Sequence, residues 1–368
     1  MADSGRVVLA LMREVGHAPR SFSVVFSERP YDEARYSRAV ASRFRSEHSE
    51  ILLKEADLLE QLPEALAALD QPSGDGVNAY VVSRAVRAAG MKVALSGQGG
   101  DELFGGYPSF RRLRRAGGVL RVWGTLPAGM RQQAGAAAGV LLASWRWGGK
   151  AARLTATDGT LSAVLPIIRQ LFGPAERRAL LATHWLERVD GGEEPYVDLL
   201  REAYARAVWA GLFTRISFAE ARTYMHDVLL RDADQMSMAH GLEVRVPFLD
   251  HPLVEYVMGM PDAHKRGNGI PKRLLVQSVT PVLPDEVVRR PKQGFTLPFD
   301  IWMRRGFRTF CEERLNFERV ADRGIFQPER VQTLWRSFLD GRPQASWSRL
   351  CVLIVLEEWL ERNGLRGA

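Results

Sequence analysis

Cysteine is nearly absent from this chain, with only Cys311 and Cys351 among 368 residues. Two distant cysteines give neither the spacing of a zinc site nor the framework of a disulfide-stapled secreted domain, and they fit a reducing cytoplasm. The seven histidines show no zinc-type pairing either. Lysine is scarce too. Only six of the fifty basic residues are lysine (Lys54, Lys92, Lys150, Lys265, Lys272, Lys292), and the rest are arginine. The arginines are spread along the chain beside Glu and Asp, mostly on helical faces, and no nucleic-acid module accompanies them. A net charge of +7 therefore does not mark a nucleic-acid-binding protein. The densest cluster, Arg111, Arg112, Arg114 and Arg115, reads as a solvated helix face or as a charge that draws in an anionic substrate. Long apolar runs are missing. The most apolar stretch, around Ala134 to Trp145, falls short of the roughly 20 residues that span a bilayer. No basic, then apolar, leader opens the sequence, so a cytoplasmic location without membrane contact is expected.

What remains is ordinary globular composition, 46% hydrophobic and 25% charged. The first hundred residues alternate between helical and extended patterns. Helices are expected at 6–15, 31–44, 56–69 and 77–89, and strands at 21–26 (SFSVVF), 48–53 and 92–96. The loop 70–76 (DQPSGDG) is marked by its Pro, Gly, Asp and Ser. Strands separated by helices imply an α/β fold with a parallel sheet covered on both faces, and ligands at the carboxyl ends of its strands. Beyond Tyr107 the strand signals fade and long helical patterns take over. The expected division is therefore 1–110, a nucleotide-binding α/β part, and 111–368, a mainly helical part.

One strand end carries an unusual turn, Leu95-Ser96-Gly97-Gln98-Gly99-Gly100-Asp101-Glu102-Leu103-Phe104-Gly105-Gly106-Tyr107. Glycines let backbone amides approach a phosphate closely. Acidic residues directly after them repel a phosphate unless a cation lies between, and magnesium takes that place with carboxylate and phosphate oxygens. Mg-ATP or Mg-pyrophosphate is one reading. A tight connection whose acids cap the next helix is the other.

This segment resembles the LSG-x-G-x-DE-x-FGGY signature of asparagine synthetases. Three later blocks are similar to that family in order and spacing: 234–250 (DQMSMAHGLEVRVPFLD), 269–275 (GIPKRLL) and 290–295 (RPKQGF). The resemblance covers nearly the whole chain from about Asp3. It implies an ATP-pyrophosphatase-like parallel sheet with flanking helices and a largely helical C-terminal part. It also implies ATP and Mg2+ as cosubstrate and cofactor. The side-chain carboxylate of aspartate would be activated as an acyl-adenylate, and ammonia would then displace AMP to give asparagine.

By the same resemblance Lys272 supplies a catalytic cation, with a solvated helix residue as its plain alternative. Asp101 is the metal-ligand candidate and Glu102 a second. Val24, Ser96, Gly97, Asp3 and Ser4 fall at ATP-binding positions. Asp75 and Asn78 lie where strand ends open onto substrate. Glu243 and Arg245 form either a buried pair shaping the aspartate pocket or a link between two helices. Met236 and Met238 read as core, Asp232 and Asp234 as holding a loop, and Asp250 as a helix cap before His251 and Pro252.

Three departures from the family pattern stand out. Of the pyrophosphate loop Ser-Gly-Gly-x-Asp-Ser-Ser/Thr only Asp3-Ser4-Gly5 corresponds, and Met1-Ala2 stand where the loop begins. No N-terminal glutaminase cysteine is present, residue 2 being Ala, so ammonia is expected free or from a separate glutaminase domain or subunit. Gln98, the second catalytic candidate, occupies a position where the family often carries a carboxylate linked to forming the aspartyl-AMP intermediate, and an amide cannot hold a charge. Three readings follow: an asparagine-forming ligase whose given start is truncated, a relative that adenylates a different carboxylate, and an inactive fragment that keeps the fold. A homodimer is a further expectation.

Overall fold

A computed structural model describes residues 3–142, 148–189, 195–265, 270–279, 283, 294 and 296–365. The block 290–295 lies outside the described residues except for Gly294. The chain forms two compact units. One comprises Met1–Asp70, Asp75–Arg111 and Ala205–Pro298, and the other Gln71–Gly74, Arg112–Tyr204 and Phe299–Ala368. These units are interleaved in sequence, whereas the expected parts, 1–110 and 111–368, are contiguous stretches.

In the first unit, helix α1 (Asp3–Glu14) is followed by strand β1 (Arg20–Val25), α2 (Ala34–Phe44), β2 (Glu47–Leu52), α3 (Glu55–Ala67), α4 (Gly76–Ala88), β3 (Val93–Leu95) and α5 (Gly100–Phe104). The alternation predicted from periodicity is present. The helix expected to start at Tyr31 starts at Ala34 instead, after a short 3-10 turn at Arg29–Tyr31, and Asp32 accepts the Ala34 amide at 3.0 Å. Strand β1 pairs in parallel with β2, with Ser21 opposite His48 and Val24 opposite Ile51. Its side chains are buried on both faces, as a covered parallel strand requires. One face of this pair is polar: the Ser21 and Ser23 hydroxyls flank His48, at 2.8 Å from Nδ1 and 3.1 Å from Nε2.

The expected single sheet is two separate parallel pairs among the described residues. Strand β3 pairs with β4 (Glu243–Arg245), Val93 opposite Glu243 and Leu95 opposite Arg245. Strand β4 corrects the expectation that strands end before Tyr107. It is Glu-Val-Arg, three residues with one apolar side chain, too short to give an alternating signal. Glu243 and Arg245 consequently link no helices and form no buried pair. They sit two apart on the exposed face of β4, Nε to Oε1 at 2.7 Å.

The core below the glycine-rich turn joins α1 through Val7 and Val8, α5 through Leu103 and Phe104, then Phe248, Val257, Leu275 and Val279. A second cluster, Leu9 and Ala10 with Val40 and Phe44, ties α1 to α2. Burying each of the larger side chains contributes about 1.5–3 kcal/mol, enough to fix the helices that carry the site. Met236 is fully buried as expected, but Met238 is 57% exposed and is not core. It follows Met236 by two residues on the helix Arg231–Met238, so the two point in different directions.

The second unit is helical in its described residues. Arg111, Arg112, Arg114 and Arg115, on the helix Pro108–Gly124, are all exposed, as a solvated face should be. Glu357 on the helix Trp347–Arg362 forms a buried pair at 2.9 Å with Arg323 of the helix Phe317–Arg323. Both cysteines are free thiols, and burial pushes Cys311 up to about 12. No described helix is long and apolar enough to cross a membrane.

Candidate active site

The glycine-rich turn is built against the start of α1. Ser4 is 1% exposed. A Cβ at Gly97 would overlap the backbone of Ser4 and Gly5, and one at Gly100 would overlap the Ser4 hydroxyl. Glycine at both positions is therefore what lets the turn and the helix start touch. Gly99 and Gly105 hold φ of +85° and +70°, the left-handed region that glycine adopts without a steric penalty. A Cβ at Gly106 would overlap the Asp101 carboxylate, so this glycine makes room for that side chain.

Lys272 arrives from a distant part of the sequence. It occupies the N-cap position of the helix Arg273–Ser278 with φ +50°, a left-handed conformation unusual for lysine. Its side chain is 2% exposed, and Nζ lies 3.0 Å from Asp101 Oδ1. The ammonium also donates to Ser4 Oγ at 3.1 Å. Lys272 is thus no solvated helix residue. Four predicted positions, Ser4, Gly97, Asp101 and Lys272, converge on one point, and Asp3 opens the helix beside it. The amides at the start of a helix and a buried ammonium both favour an anion.

The two acids of the turn diverge. Asp101 is 18% exposed. Glu102 is buried beneath the turn, where its Oε1 accepts the Tyr107 hydroxyl and its backbone carbonyl accepts Ser217 Oγ at 2.6 Å. Burial, then the neighbouring Glu102 carboxylate, push the Tyr107 phenol far above its ordinary range, so it stays protonated and donates. Among the described residues no three acidic, histidine or cysteine side chains form a self-contained metal cage. Magnesium does not need one, because it commonly uses one or two carboxylates together with phosphate oxygens. Asp101 has the position for that task. Glu102, turned inward onto Tyr107, does not.

The remaining predicted residues are dispersed. Ser96 ends β3, and its amide donates to the Arg245 carbonyl at 2.8 Å. The Ser96 hydroxyl accepts the Gln98 amide at 3.3 Å. The Gln98 side-chain Nε2 donates to the Leu229 carbonyl at 3.3 Å. Val24 lies in the other strand pair, buried near the end of β1. Asp75 and Asn78 begin α4. Asp75 Oδ2 accepts the Tyr224 hydroxyl at 2.6 Å, and Asn78 Oδ1 is buried with no hydrogen-bond partner among the described residues. Asp232 is buried and 3.2 Å from Arg231, whereas Asp234 is exposed. Asp250 stands at the N-cap of the helix His251–Gly259 but makes no side-chain capping bond.

Tyr107, Tyr224 and Leu229 were not singled out by their sequence. Tyr224 and Leu229 belong to Ala221–Leu230, which winds as a π-helix. Nothing in ARTYMHDVLL distinguishes that winding from an ordinary helix. Tyr107 closes the signature, and the only available signal was its position there.

Known proteins match most of the length of this chain. Residues 3–361 match the family described as asparagine synthase. Asparagine synthetase [glutamine-hydrolyzing] 1 of Bacillus subtilis (strain 168) is 26% identical over 312 residues, 81% of this chain and 45% of that protein. Asparagine synthetase [glutamine-hydrolyzing] 3 of the same organism is 25% identical over 268 residues, 72% of this chain and 36% of that protein. The Gallus gallus asparagine synthetase [glutamine-hydrolyzing] is 46% identical over 76 residues, 20% of this chain and 13% of its own. The chain spans less than half the length of these curated relatives. With the matched residues running nearly end to end, the chain belongs to the asparagine synthase family.

Proposed function

We propose that this chain is an ATP-dependent carbon–nitrogen ligase that activates the side-chain carboxylate of aspartate as an acyl-adenylate and transfers ammonia to it, forming asparagine. The observation that carries the reading is the buried Lys272 ammonium held between Ser4 Oγ and Asp101 Oδ1 at the glycine-rich turn. Bringing a carboxylate to the α-phosphate of ATP sets two anions against each other, and pyrophosphate gathers charge as it leaves. A fixed cation in a dry site opposes both effects, and one such group contributes on the order of a hundredfold or more in rate.

In this reading Lys272 binds the phosphates, the start of α1 offers its amides to them, and Gly97 lets the backbone approach. Asp101 would hold magnesium together with phosphate oxygens, and the ion would supply positive charge against the phosphates. Ser96 and Val24 would line the nucleotide from their strand ends. Ammonia would come free or from a separate glutaminase domain or subunit, and a cytoplasmic location accords with the free thiols.

The test is pyrophosphate exchange into ATP that depends on L-aspartate and magnesium. Exchange with aspartate supports the reading. Exchange with a different carboxylate alone would support the second reading, for which the observation is Gln98. Its amide is committed to the Leu229 carbonyl and carries no charge, unlike the carboxylate the family often has there. Absence of nucleotide binding in the presence of magnesium would sink both.

A further inference from the structure

Two groups of the π-helix Ala221–Leu230 reach two parts of the site. The Tyr224 hydroxyl donates to Asp75 Oδ2 at 2.6 Å, and the Leu229 carbonyl accepts Gln98 Nε2 at 3.3 Å. The Tyr224 ring also meets Tyr107 edge-on, centroids 6.3 Å apart. π-Helical turns are rare and concentrate at functional sites, since their wider winding re-aims side chains and carbonyls. One irregular segment thus sets the loop before α4 and the middle of the glycine-rich turn together.

Asp75 is the informative partner. It stands at the N-cap of α4, where an aspartate ordinarily accepts amides of its own helix, yet its side chain makes no capping bond. The carboxylate is directed instead to a hydroxyl from a segment far along the chain. Helix capping does not account for that orientation. A carboxylate held at the head of α4, in the unit that carries Lys272, is suited to a cationic group, because hydrogen bonds between ions are roughly twice as strong as neutral ones.

We propose that Tyr224 is a positioning residue that acts through Asp75, orienting its carboxylate to receive the ammonium group of an amino-acid substrate. The inference rests on the adenylation reading of the site and adds what selects the substrate: its amino group, read by Asp75 from a geometry fixed by the π-helix. The Tyr224 hydroxyl is one group that holds Asp75 Oδ2 in place. Misplacement of a binding group by about 1 Å can cost a hundredfold in rate, so losing this restraint should be visible in selectivity.

The test compares L-aspartate with succinate, which has both carboxylates and no amino group, in magnesium-dependent ATP–pyrophosphate exchange. The parent should prefer aspartate in kcat/KM. Tyr224→Phe keeps the ring against Tyr107 and removes the hydroxyl. It should raise KM for aspartate about tenfold, as loss of one hydrogen bond to a charged group does, while leaving succinate and the KM for ATP within about twofold. Asp75→Asn, which keeps an acceptor for Tyr224 but no charge, should abolish the preference. A merely structural role would depress both carboxylates equally and lower the thermal midpoint. A parent without the preference, or variants that retain it, overturn the inference and leave the adenylation reading standing. A parent that exchanges with no carboxylate overturns both.

Discussion

Lys272 Nζ lies 3.0 Å from Asp101 Oδ1, with the lysine side chain 2% exposed and the aspartate 18%. The cation is walled in, while its carboxylate partner is reachable from outside. Lys272→Ala should therefore lose adenylate formation by about a hundredfold or more, the usual size for a preorganised charge. Single-turnover formation of acyl-adenylate measures it, and a parent-like rate would remove Lys272 from the chemistry.

The two acids of the turn should separate under substitution. Asp101→Asn is expected to weaken magnesium dependence and slow exchange at least tenfold. Glu102→Gln keeps an acceptor for Tyr107 and should retain most activity. Tyr107→Phe should instead cost about 1–3 kcal/mol of stability, because it leaves the buried Glu102 carboxylate without that donor. A urea titration of each variant, beside a magnesium titration of activity, tells the roles apart.

Gly97→Ala is expected to destabilise by about 1–3 kcal/mol, since its methyl group would overlap the backbone of Ser4 and Gly5, which cannot swing aside. Gly118 and Gly129 lie in helices with open space where a Cβ would go. Alanine there should stabilise by about 0.5–1 kcal/mol. Thermal unfolding that moved all three in the same direction would contradict the packing described.

Stability should fall as the pH drops below about 6.5, the unperturbed value of histidine. Burial, the larger cause, holds His48 below that value, although nearby Glu50 opposes it. Between the two values the unfolded chain binds a proton that the folded chain refuses. The stabilisation is thus present above the unfolded value and is lost as pH falls toward the folded one. His240 shifts the same way by burial. Denaturant unfolding at pH 7.5 and 5.5 measures the loss, and His48→Gln should reduce it. An unchanged pH slope in that variant would assign the effect elsewhere.

Much of the frame that carries the glycine-rich turn was legible in the sequence. The alternation up to Ser96 follows from apolar spacing, and the turn at 97–106 announces itself by glycines beside acids, a pattern with few uses. The convergence of Ser4, Asp101 and Lys272 was available only through family likeness, because no local pattern says which distant lysine folds onto a turn. Strand β4 and the inward course of Glu102 were not legible at all. Three residues carry too little periodicity, and adjacent Asp and Glu look alike until the helix they begin turns one outward and the other under. Tyr224 is the clearest case: its role depends on how its segment winds, and ten residues of helix-compatible sequence leave that winding open.

The π-helix gives this protein a sensitivity to length rather than to composition. A segment wound more widely than an α-helix accommodates its residues in fewer turns. Deleting a single residue between Ala221 and Leu230 would let it relax to ordinary winding, and each residue of an α-helix turns the chain by about 100°. The flanking helices would keep their phase, because the tighter winding takes up the lost residue, but groups within the segment would be re-aimed, the Tyr224 hydroxyl away from Asp75 and the Leu229 carbonyl away from Gln98. In-frame loss of one codon here would be felt across the site, whereas many point substitutions on the exposed side of the same segment would pass unnoticed.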